Sequence, residues 1–432
     1  MIERLAMLVV IAPLLAFALL GLLRRTSERV TGFVVGAAFG SGVLATLAII
    51  TLMASTGRHV VVAHLGTWFS TGDYAFEITL LIDRLSAPFM LLTTLLCGTI
   101  GAFSTRYLHR ERGHRRFMTL LCLFGGGMLL ICTAGGFDVA YAGWEMVGLT
   151  SALLVAFFYE REAPLTHGLW TFAVYRVCDV GLLLAAILVH HWSGTGEYSS
   201  ATAWPGGVAA LSAPQATAVG LLLVFAAMGK SAQIPFSGWL PRAMEGPTPS
   251  SAIFYGALSV HAGAYVLLRA APIFEQAPVA RAALLVVGIS SAIHATLVGR
   301  AQTDVKSALA YASMTQVALV FVEIGLGWHY FALIHLSGHA LVRTLQFLRA
   351  PSILHEHHQQ EAAVGRHLAR TGTHLERMLP EGAQRWLYRL ALERGYHDSF
   401  LRVVIVKPVL GVFFWLDRRE RAWVRLLGGK RS

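Results

Sequence analysis

The stretch that decides the fold runs from residue 216 to residue 241, ATAVGLLLVFAAMGKSAQIPFSGWLP. It opens with an apolar run, Ala216–Ile234, that is long enough to cross the bilayer's hydrocarbon core of about 30 Å as a helix. Lys230 stands inside this run, and Pro235 follows it five positions later. Proline breaks a helix, and broken helices at membrane depth are tolerated where they line a polar cavity. The stretch therefore predicts a membrane helix that breaks beside a buried lysine.

Similar apolar runs recur along nearly the whole chain. Hydrophobic residues make up 55% and charged residues 14%, with a mean hydropathy of +0.59, whereas a soluble domain carries about a quarter charged residues. The sequence predicts an all-α integral membrane protein, a bundle of about 11–12 transmembrane helices with a broken helix near Lys230–Pro235. A further run, Phe400–Leu416, either spans or lies along the surface. The predicted spans are Leu5–Leu23, Thr31–Ala54, Leu85–Tyr107, Phe117–Thr133, Phe137–Tyr159, His167–His191, Ala216–Ile234, Ser250–Arg269, Ala280–Val298, Asp304–Leu326 and Trp328–Leu348.

The basic residues lie between the apolar runs rather than on one soluble face. The formal net charge is +11, and arginines concentrate in alternate loops, as at Arg106, Arg110 and Arg112. Between helices, the opposite loops hold few basic residues, among them Arg58 and Arg281. This asymmetry follows the positive-inside rule and predicts a multi-pass protein of the bacterial inner membrane, surrounded by lipid, with its N-terminus outside. No nucleic-acid-binding motif appears, so we expect no nucleic-acid partner.

The sequence shows no motif for a cofactor or a metal. Its cysteines lie singly inside apolar runs, which indicates small packed side chains: Cys97, Cys122, Cys132 and Cys178. There is no Walker, Rossmann or iron–sulfur motif. We therefore expect no cofactor, no metal ligand and no catalytic residue, and we do not expect the chain to act as an enzyme on its own.

Ionisable residues inside the predicted spans mark the candidate site. A charge at the bilayer centre costs about 2.5–3.5 kcal/mol on insertion scales, so a chain that keeps several needs a reason. Only 4 of the 35 basic residues are lysines, and a desolvated lysine can lose its proton whereas arginine effectively cannot. The alternative, structural ion pairs between helices, stays open, above all for Arg176 with Asp179. The candidates are Glu145, Arg176, Asp179, Lys230, His261 and a stripe at four-residue spacing, His335, His339 and Arg343.

Short motifs in the middle of the chain match a known pattern in order and spacing from about Asp83 to Phe347. They are Trp144–Leu149, Arg176–Val180, Gly229–Pro235, Trp239–Leu240, Ala243–Pro249, Gln302–Lys306, Leu309–Gln316, His335–Leu336 and His339–Ala340. These motifs resemble those of the antiporter-like membrane subunits of respiratory complex I, subunit L or subunit 5 type, and of Mrp antiporters. The resemblance implies that Glu145 and Lys230 form the central proton-handling pair. It also implies that polar residues on later helices, here His261, His335 and His339, continue a hydrated path.

Three features depart from the family pattern. The family often has histidine where this chain has Tyr255, and complex I members have lysine where it has Arg343. Because arginine is a poor proton relay, we expect protons to stop at Arg343 and to leave near His339 toward the partner or the cytoplasm. The chain turns polar after Leu348, which predicts an incomplete second inverted repeat.

Composition and motifs together divide the chain into four parts. Residues 1–116 hold the N-terminal helices and an alternating, glycine-containing stretch at 60–82 that predicts a hairpin on the outer side. Residues 117–349 form the antiporter-like proton-translocation core. Residues 350–398 are a polar segment predicted to be cytoplasmic, and 399–432 form an amphipathic or spanning C-terminal helix.

Four functions fit these observations. The favoured one is a proton-conducting subunit that couples the proton gradient to a larger protein partner. Within it, the chain resembles the membrane subunit of the DAB inorganic-carbon accumulation systems, which pairs with a carbonic-anhydrase-like subunit for CO2 or bicarbonate uptake. The alternatives are a reduced proton-pumping subunit of a complex I-type NADH-quinone oxidoreductase with complex I-type partners, a Na⁺/H⁺ antiporter component, and a non-transporting membrane scaffold.

Overall fold

The computed structural model is a helical bundle with one small hairpin. It describes residues 1–23, 26–71, 74–198, 204–205, 211–364 and 378–427. Within that part, nine helices are long and apolar enough to cross a membrane. The prediction of an all-α integral membrane protein is confirmed.

The elements follow one another as α-helices, with a single pair of strands after the second helix. Their bounds are α1 Ile2–Leu22, α2 Glu28–Thr56, β1 Val61–Thr71, β2 Tyr74–Ile82, α3 Ser86–Tyr107, α4 His114–Thr133, α5 Phe137–Val155, α6 Glu162–Ser193, α7 Ala213–Lys230, α8 Trp239–Arg242, α9 Thr248–Ser251, α10 Ser259–Arg269, α11 Ala271–Glu275, α12 Pro278–Arg300, α13 Val305–Leu326, α14 His329–Val364, α15 Glu381–Leu392, α16 His397–Leu401 and α17 Lys407–Leu427.

Two predicted spans differ from the helices that form. The run Ser250–Arg269 is not one regular helix, because a π-helical turn, Ala252–Ala257, separates α9 from α10. The last predicted span does not end at Leu348, since α14 continues to Val364. The segment predicted as polar from residue 350 therefore begins as a continuation of helix α14, while its residues 365–377 lie outside the described part.

Local capping chemistry fixes several helix ends. Ser27 accepts a hydrogen bond from the Val30 N–H at 3.3 Å, and Asp304 accepts one from the Ser307 N–H at 2.8 Å. Ser212 and Gln215 form a capping box at the start of α7. Helix α13 ends on Gly327 at φ 85°, a left-handed conformation that glycine adopts without steric cost.

Small residues bring α4 and α5 close together. A Cβ added at Gly143 would lie 2.5 Å from the Gly127 carbonyl oxygen, so the two backbones are in direct contact. Glycine at such positions lets membrane helices approach closely. This contact fixes the position of α5, which carries Trp144 and Glu145.

The hairpin predicted at 60–82 is confirmed as an antiparallel pair, β1 with β2. An ion pair at the end of the hairpin attaches it to one face of the bundle. That face is called here the hairpin side. Asp83 and Arg269, both buried, meet at 2.5 Å and 3.1 Å. Burial alone would raise the pKa of the Asp83 carboxyl, but the Arg269 guanidinium and backbone donors hold that pKa below its ordinary value. The pair thus joins the hairpin to the end of α10.

We predict that Asp83→Asn lowers the free energy of unfolding by about 3–5 kcal/mol, because it leaves the Arg269 charge buried without its counter-ion. The matched control is Glu77→Gln, which removes a partly exposed carboxylate from the same hairpin and keeps an oxygen that can accept from the Thr67 hydroxyl. In detergent, thermal melting should show a clear loss for the first variant and little change for the second. The pair's contribution should be present above the ordinary aspartate pKa of 3.8 and fade as pH falls through the lowered pKa. Equal melting temperatures for the two variants would contradict a stabilising role of the Asp83–Arg269 ion pair.

Candidate functional site

The lysine singled out by the sequence is the last residue of α7. Its side chain is fully buried, with 0% of its surface exposed. The helix stops there because Ser231 leaves the helical conformation and Ala232 takes a φ of 53°. The chain resumes at Phe236 as a short 3-10 turn that leads into α8. The predicted break near Pro235 is confirmed.

The ammonium of Lys230 lies in a cage formed by α5 and α6. Its Nζ donates to the Trp144 carbonyl oxygen at 3.2 Å and lies 3.8 Å from Asp179 Oδ1. It also faces two aromatic rings, 4.7 Å from the centroid of Trp144 and 4.3 Å from that of Tyr175. Carbonyl, carboxylate and ring faces all favour a cation, so the cage compensates part of the cost of burying this charge.

Asp179 is the carboxylate that this cage shares among several donors. It is 2% exposed. One oxygen accepts from the Trp144 indole N–H and faces Lys230, and the other accepts from Arg176 Nη2 at 2.6 Å. A charge that is paired and hydrogen-bonded on both oxygens can be kept in a low-dielectric interior. Asp179 is thus the counter-ion that holds the lysine.

Glu145 occupies a different place from the one the sequence predicted. It forms an ion pair with Arg176, which in turn binds Asp179, so the order is Glu145, Arg176, Asp179, Lys230. The Glu145 side chain is 26% exposed, far more than that of Asp179. Arg176 and Asp179 lie one turn apart on α6, and this places the arginine between the two carboxylates. Glu145 is therefore connected to Lys230 through Arg176 and Asp179.

Hydroxyl groups connect the lysine cage to the helix that carries His261. The Ser151 and Ser259 hydroxyls are 3.3 Å apart, and the Tyr175 hydroxyl lies near both. On the other side of the break, the Ser231 hydroxyl donates to the Val260 carbonyl at 2.7 Å. The neighbours of Lys230 and His261 are thus in contact.

His261 and the predicted stripe on α14 come together. His261 Nε2 and His339 Nδ1 are 2.9 Å apart, and Arg343 Nε faces His339 Nε2 at 3.5 Å. One turn earlier, His335 contacts residues of α13 instead. Tyr255 falls in the π-helical turn, and its side chain lies outside the described part of the structure. The predicted candidates thus form two groups, one around Lys230 and one around His339.

The sequence interpretation missed two polar residues on α13. Glu323 Oε1 is 2.6 Å from His335 Nδ1, and Gln316 Oε1 is 2.9 Å from His335 Nε2. Both residues lie in the apolar run Asp304–Leu326. A carboxylate inside such a run marks a candidate functional site, as it does at Glu145. The same cost argument applied to every span would have found Glu323.

Two protein-family models match this chain, and together they cover most of it between residues 68 and 375. The family described as "NADH:quinone oxidoreductase/Mrp antiporter, TM" matches residues 137–375. The family described as "NADH-Ubiquinone oxidoreductase (complex I), chain 5 N-terminus" matches residues 68–118. The first match contains every candidate site residue, from Glu145 to Arg343.

Curated relatives and solved structures agree with these matches. The NADH-quinone oxidoreductase subunit L of Mycobacterium tuberculosis is 36% identical over 297 residues, which are 68% of this chain and 46% of the relative. The Rhodobacter capsulatus subunit L is 32% identical over 378 residues, 82% of this chain and 52% of the relative. This chain therefore spans about half the length of the curated relatives it matches.

Two solved structures share the fold. A chain of the Mrp complex from Dietzia sp. DQ12-45-1b has a TM-score of 0.66 and 26% identity, covering 78% of this chain and 37% of that one. A chain of the membrane-bound sulfane sulfur reductase, an archaeal respiratory membrane complex, has a TM-score of 0.66 and 19% identity, covering 80% and 70%. The second likeness is one of fold alone.

We predict that Gly148→Ala impairs the site while leaving the fold intact. An added Cβ would lie 2.9 Å from Lys230 Nζ and 3.4 Å from Arg176 Nη2, so it must displace the ammonium from its cage. The matched control is Gly40→Ala, since a Cβ at that position in α2 meets nothing within 4 Å. Both variants should reach the membrane and purify in normal amounts. Proton uptake by native membrane vesicles, followed with a pH-sensitive dye, should fall only for Gly148→Ala, and unchanged uptake would show that the cage tolerates the extra methyl.

Proposed function

From the premise that this chain belongs to the family of NADH:quinone oxidoreductase and Mrp antiporter membrane subunits, we propose that it conducts protons and couples their movement to a partner protein. The carrying observation is the fully buried Lys230 at the end of a broken helix, with Asp179 at 3.8 Å. A lysine can release its proton when its counter-ion is withdrawn, and an arginine in that place could not.

The ion-pair chain supplies a physical means of withdrawing that counter-ion. Asp179 is shared between Lys230 and Arg176, and Arg176 is shared between Asp179 and Glu145. When Glu145 takes up a proton, Arg176 loses one partner and draws more strongly on Asp179. The ammonium of Lys230 then has a weaker counter-ion and gives up its proton. Glu145 is the more exposed of the two carboxylates, which suits it for exchanging protons.

Polar groups lead away from the lysine in two directions. The Tyr175, Ser151 and Ser259 hydroxyls lie toward His261, and His261 is hydrogen-bonded to His339. Away from the hairpin, the chain just after the break borders a polar cavity of about 510 Å³. Its charged lining includes Arg242, Glu245, Asp304, Lys306 and Arg394. We assign this cavity as the water-filled mouth on the side that the loop charges predict to be cytoplasmic.

The process that the proton movement drives is a separate and more specific proposal. We propose uptake of inorganic carbon, as CO2 or bicarbonate, with a carbonic-anhydrase-like subunit as partner; this rests on the sequence resemblance alone. The similarity to subunits of a NADH-quinone oxidoreductase and of an Mrp complex supports two alternatives, a reduced proton-pumping subunit and a Na⁺/H⁺ antiporter component. A scaffold that has lost transport is disfavoured, because a scaffold gains nothing from a caged lysine.

We predict that Lys230→Ala abolishes proton-dependent function and that Lys230→Arg fails as well. The arginine keeps the positive charge but cannot release its proton, so the pair of variants separates charge from proton transfer. Lys407→Ala, which removes an exposed lysine of the C-terminal helix, is the control. The measurement is proton uptake by native membrane vesicles, with and without uncoupler. Full uptake in a stable Lys230→Ala variant would remove the proposed function.

The partner is open to a direct test. We predict that the tagged chain, solubilised in mild detergent, co-purifies with a large zinc-containing subunit and restores growth in air to cells that lack carbonic anhydrase. Co-purification with quinone-reducing or other antiporter-like subunits would replace inorganic-carbon uptake by the complex I or antiporter alternative. Lys230→Ala serves as the control, because this variant should still co-purify with the partner but should not restore growth in air.

A further inference from the structure

A second polar cluster stands apart from the lysine cage, between α13 and α14. Glu323 is 8% exposed and contacts His335 Nδ1 at 2.6 Å through Oε1. Its other oxygen, Oε2, is buried and has no hydrogen-bond partner among the described residues. Gln316 Oε1 faces the other ring nitrogen of His335 at 2.9 Å. A carboxylate with one free oxygen, hydrogen-bonded to a histidine inside a membrane, needs a functional explanation.

The cluster lies close to the hairpin side of the bundle. Glu323 is one turn from the end of α13, and its carbonyl oxygen accepts from the Trp328 N–H at 2.9 Å. The start of α14 is tied to the hairpin side through Trp204, whose indole donates to the Leu268 carbonyl at 2.7 Å and whose ring meets that of Tyr330 at 5.1 Å. Leu268 precedes Arg269, the residue that binds the end of the hairpin. Water on that side therefore lies within about one helical turn of Glu323.

The cluster continues inward without a large gap. His335 and His339 are one turn apart on the same face of α14, a spacing that puts their Cβ atoms about 5–6 Å apart. His339 Nδ1 is 2.9 Å from His261 Nε2. From Glu323 to His261, each titratable side chain thus lies beside the next.

Resting on the proposed function, we propose that Glu323 is a proton-accepting residue that opens this histidine chain to the water on the hairpin side. Both nitrogens of His335 face oxygen acceptors, so the ring is placed to hold a proton on each. When His335 turns from Gln316 and gives its Nε2 proton to His339 Nε2, it becomes neutral. His339 passes its Nδ1 proton to His261. The neutral His335 ring shifts its remaining proton from Nδ1 to Nε2, and Glu323, which has taken a proton at Oε2 from hydronium in the water on the hairpin side, gives a proton to the vacated Nδ1. One proton has then moved from water to His261, and Glu323, His335 and His339 regain their starting charges.

With Glu323 as the opening, the proton route reaches the hairpin side of the bundle and does not pass Arg343. The contact of Arg343 with His339, at 3.5 Å, is longer than those of His335 with Glu323 and Gln316. The guanidinium carries a permanent charge and offers only donors. It blocks that end of the stripe, while the hairpin end carries a free carboxylate oxygen.

The first experiment separates proton acceptance from packing. Glu323→Gln keeps the size and an oxygen acceptor but cannot carry a proton, and proton uptake by native vesicles should fall about 100-fold, the low end for loss of a positioned acid–base group. Glu323→Asp, which keeps a carboxyl group, should recover part of the uptake. Glu275→Gln, which removes an exposed carboxylate at the same side, should behave as wild type. Wild-type uptake in Glu323→Gln would overturn the proposal, as would a loss that Glu323→Asp does not relieve at all.

The second experiment tests sidedness without relying on activity. Glu323→Cys should react with a membrane-impermeant methanethiosulfonate from the hairpin side only, in a comparison of right-side-out with inside-out vesicles. Trp68→Cys marks the hairpin side, because Trp68 is 80% exposed on β1, and the unaltered chain with its four buried cysteines gives the background. Reaction from the opposite side alone, or none above background, would refute an opening through Glu323.

The two proposals fail in different ways. If Lys230→Ala takes up protons normally, the proposed function is lost whatever Glu323 does. If Lys230→Ala is inactive while Glu323→Gln matches Glu275→Gln and wild type, only the opening at Glu323 is wrong.

Discussion

A lysine ammonium held where its surroundings exclude bulk water is the constraint on which the rest of the site depends. Lys230 has one backbone acceptor, one carboxylate and two ring faces, and no exposed surface. Breaking a buried pair by removing one partner costs about 3–5 kcal/mol, so each group around the lysine is under strong restraint. Trp144 shows this most clearly, because its carbonyl receives the lysine while its indole binds Asp179. The close packing of α4 on α5 holds that residue in place.

Permanent and titratable charges alternate through the bundle. Arg176 stands between Glu145 and Asp179, and Arg343 stands beside His339. Because arginine keeps its proton, it fixes the local field and leaves the neighbouring carboxylates and histidines to change state. Arg269 instead binds a single carboxylate, Asp83, at the edge of the bundle. The two arginines differ in geometry, because Arg269 is buried with one carboxylate and Arg176 is shared between two.

The sequence predicted features that depend on neighbours along the chain. Lys230, its helix and the break at Pro235 were predictable because apolar length and proline act locally. The pairing of Lys230 with Asp179, ahead of Glu145, depends on which faces of α5, α6 and α7 meet, and no spacing encodes that. The extension of α14 was missed for another reason. Its composition turns polar near Pro351, yet a helix can absorb one lost backbone hydrogen bond when neighbouring contacts support it.

The break in α7 also places the end of the helix at the lysine, because Lys230 is the last helical residue. Lys230 is the final helical residue, so the last carbonyls of α7 have no partners further along the helix. Trp239 Nε1 binds the Gly229 carbonyl at 3.0 Å and the Gln233 N–H binds that of Met228 at 2.8 Å, which satisfies them without extending the helix. The negative end of the helix dipole therefore lies at the residue that carries the ammonium, and a cation in the last turn of a helix is favoured there. Had α7 continued past residue 230, its carbonyls would be paired internally and the dipole would end elsewhere. Such a lysine would keep its carbonyl, carboxylate and ring contacts but lose the helix end, so its charge would depend more strongly on Asp179.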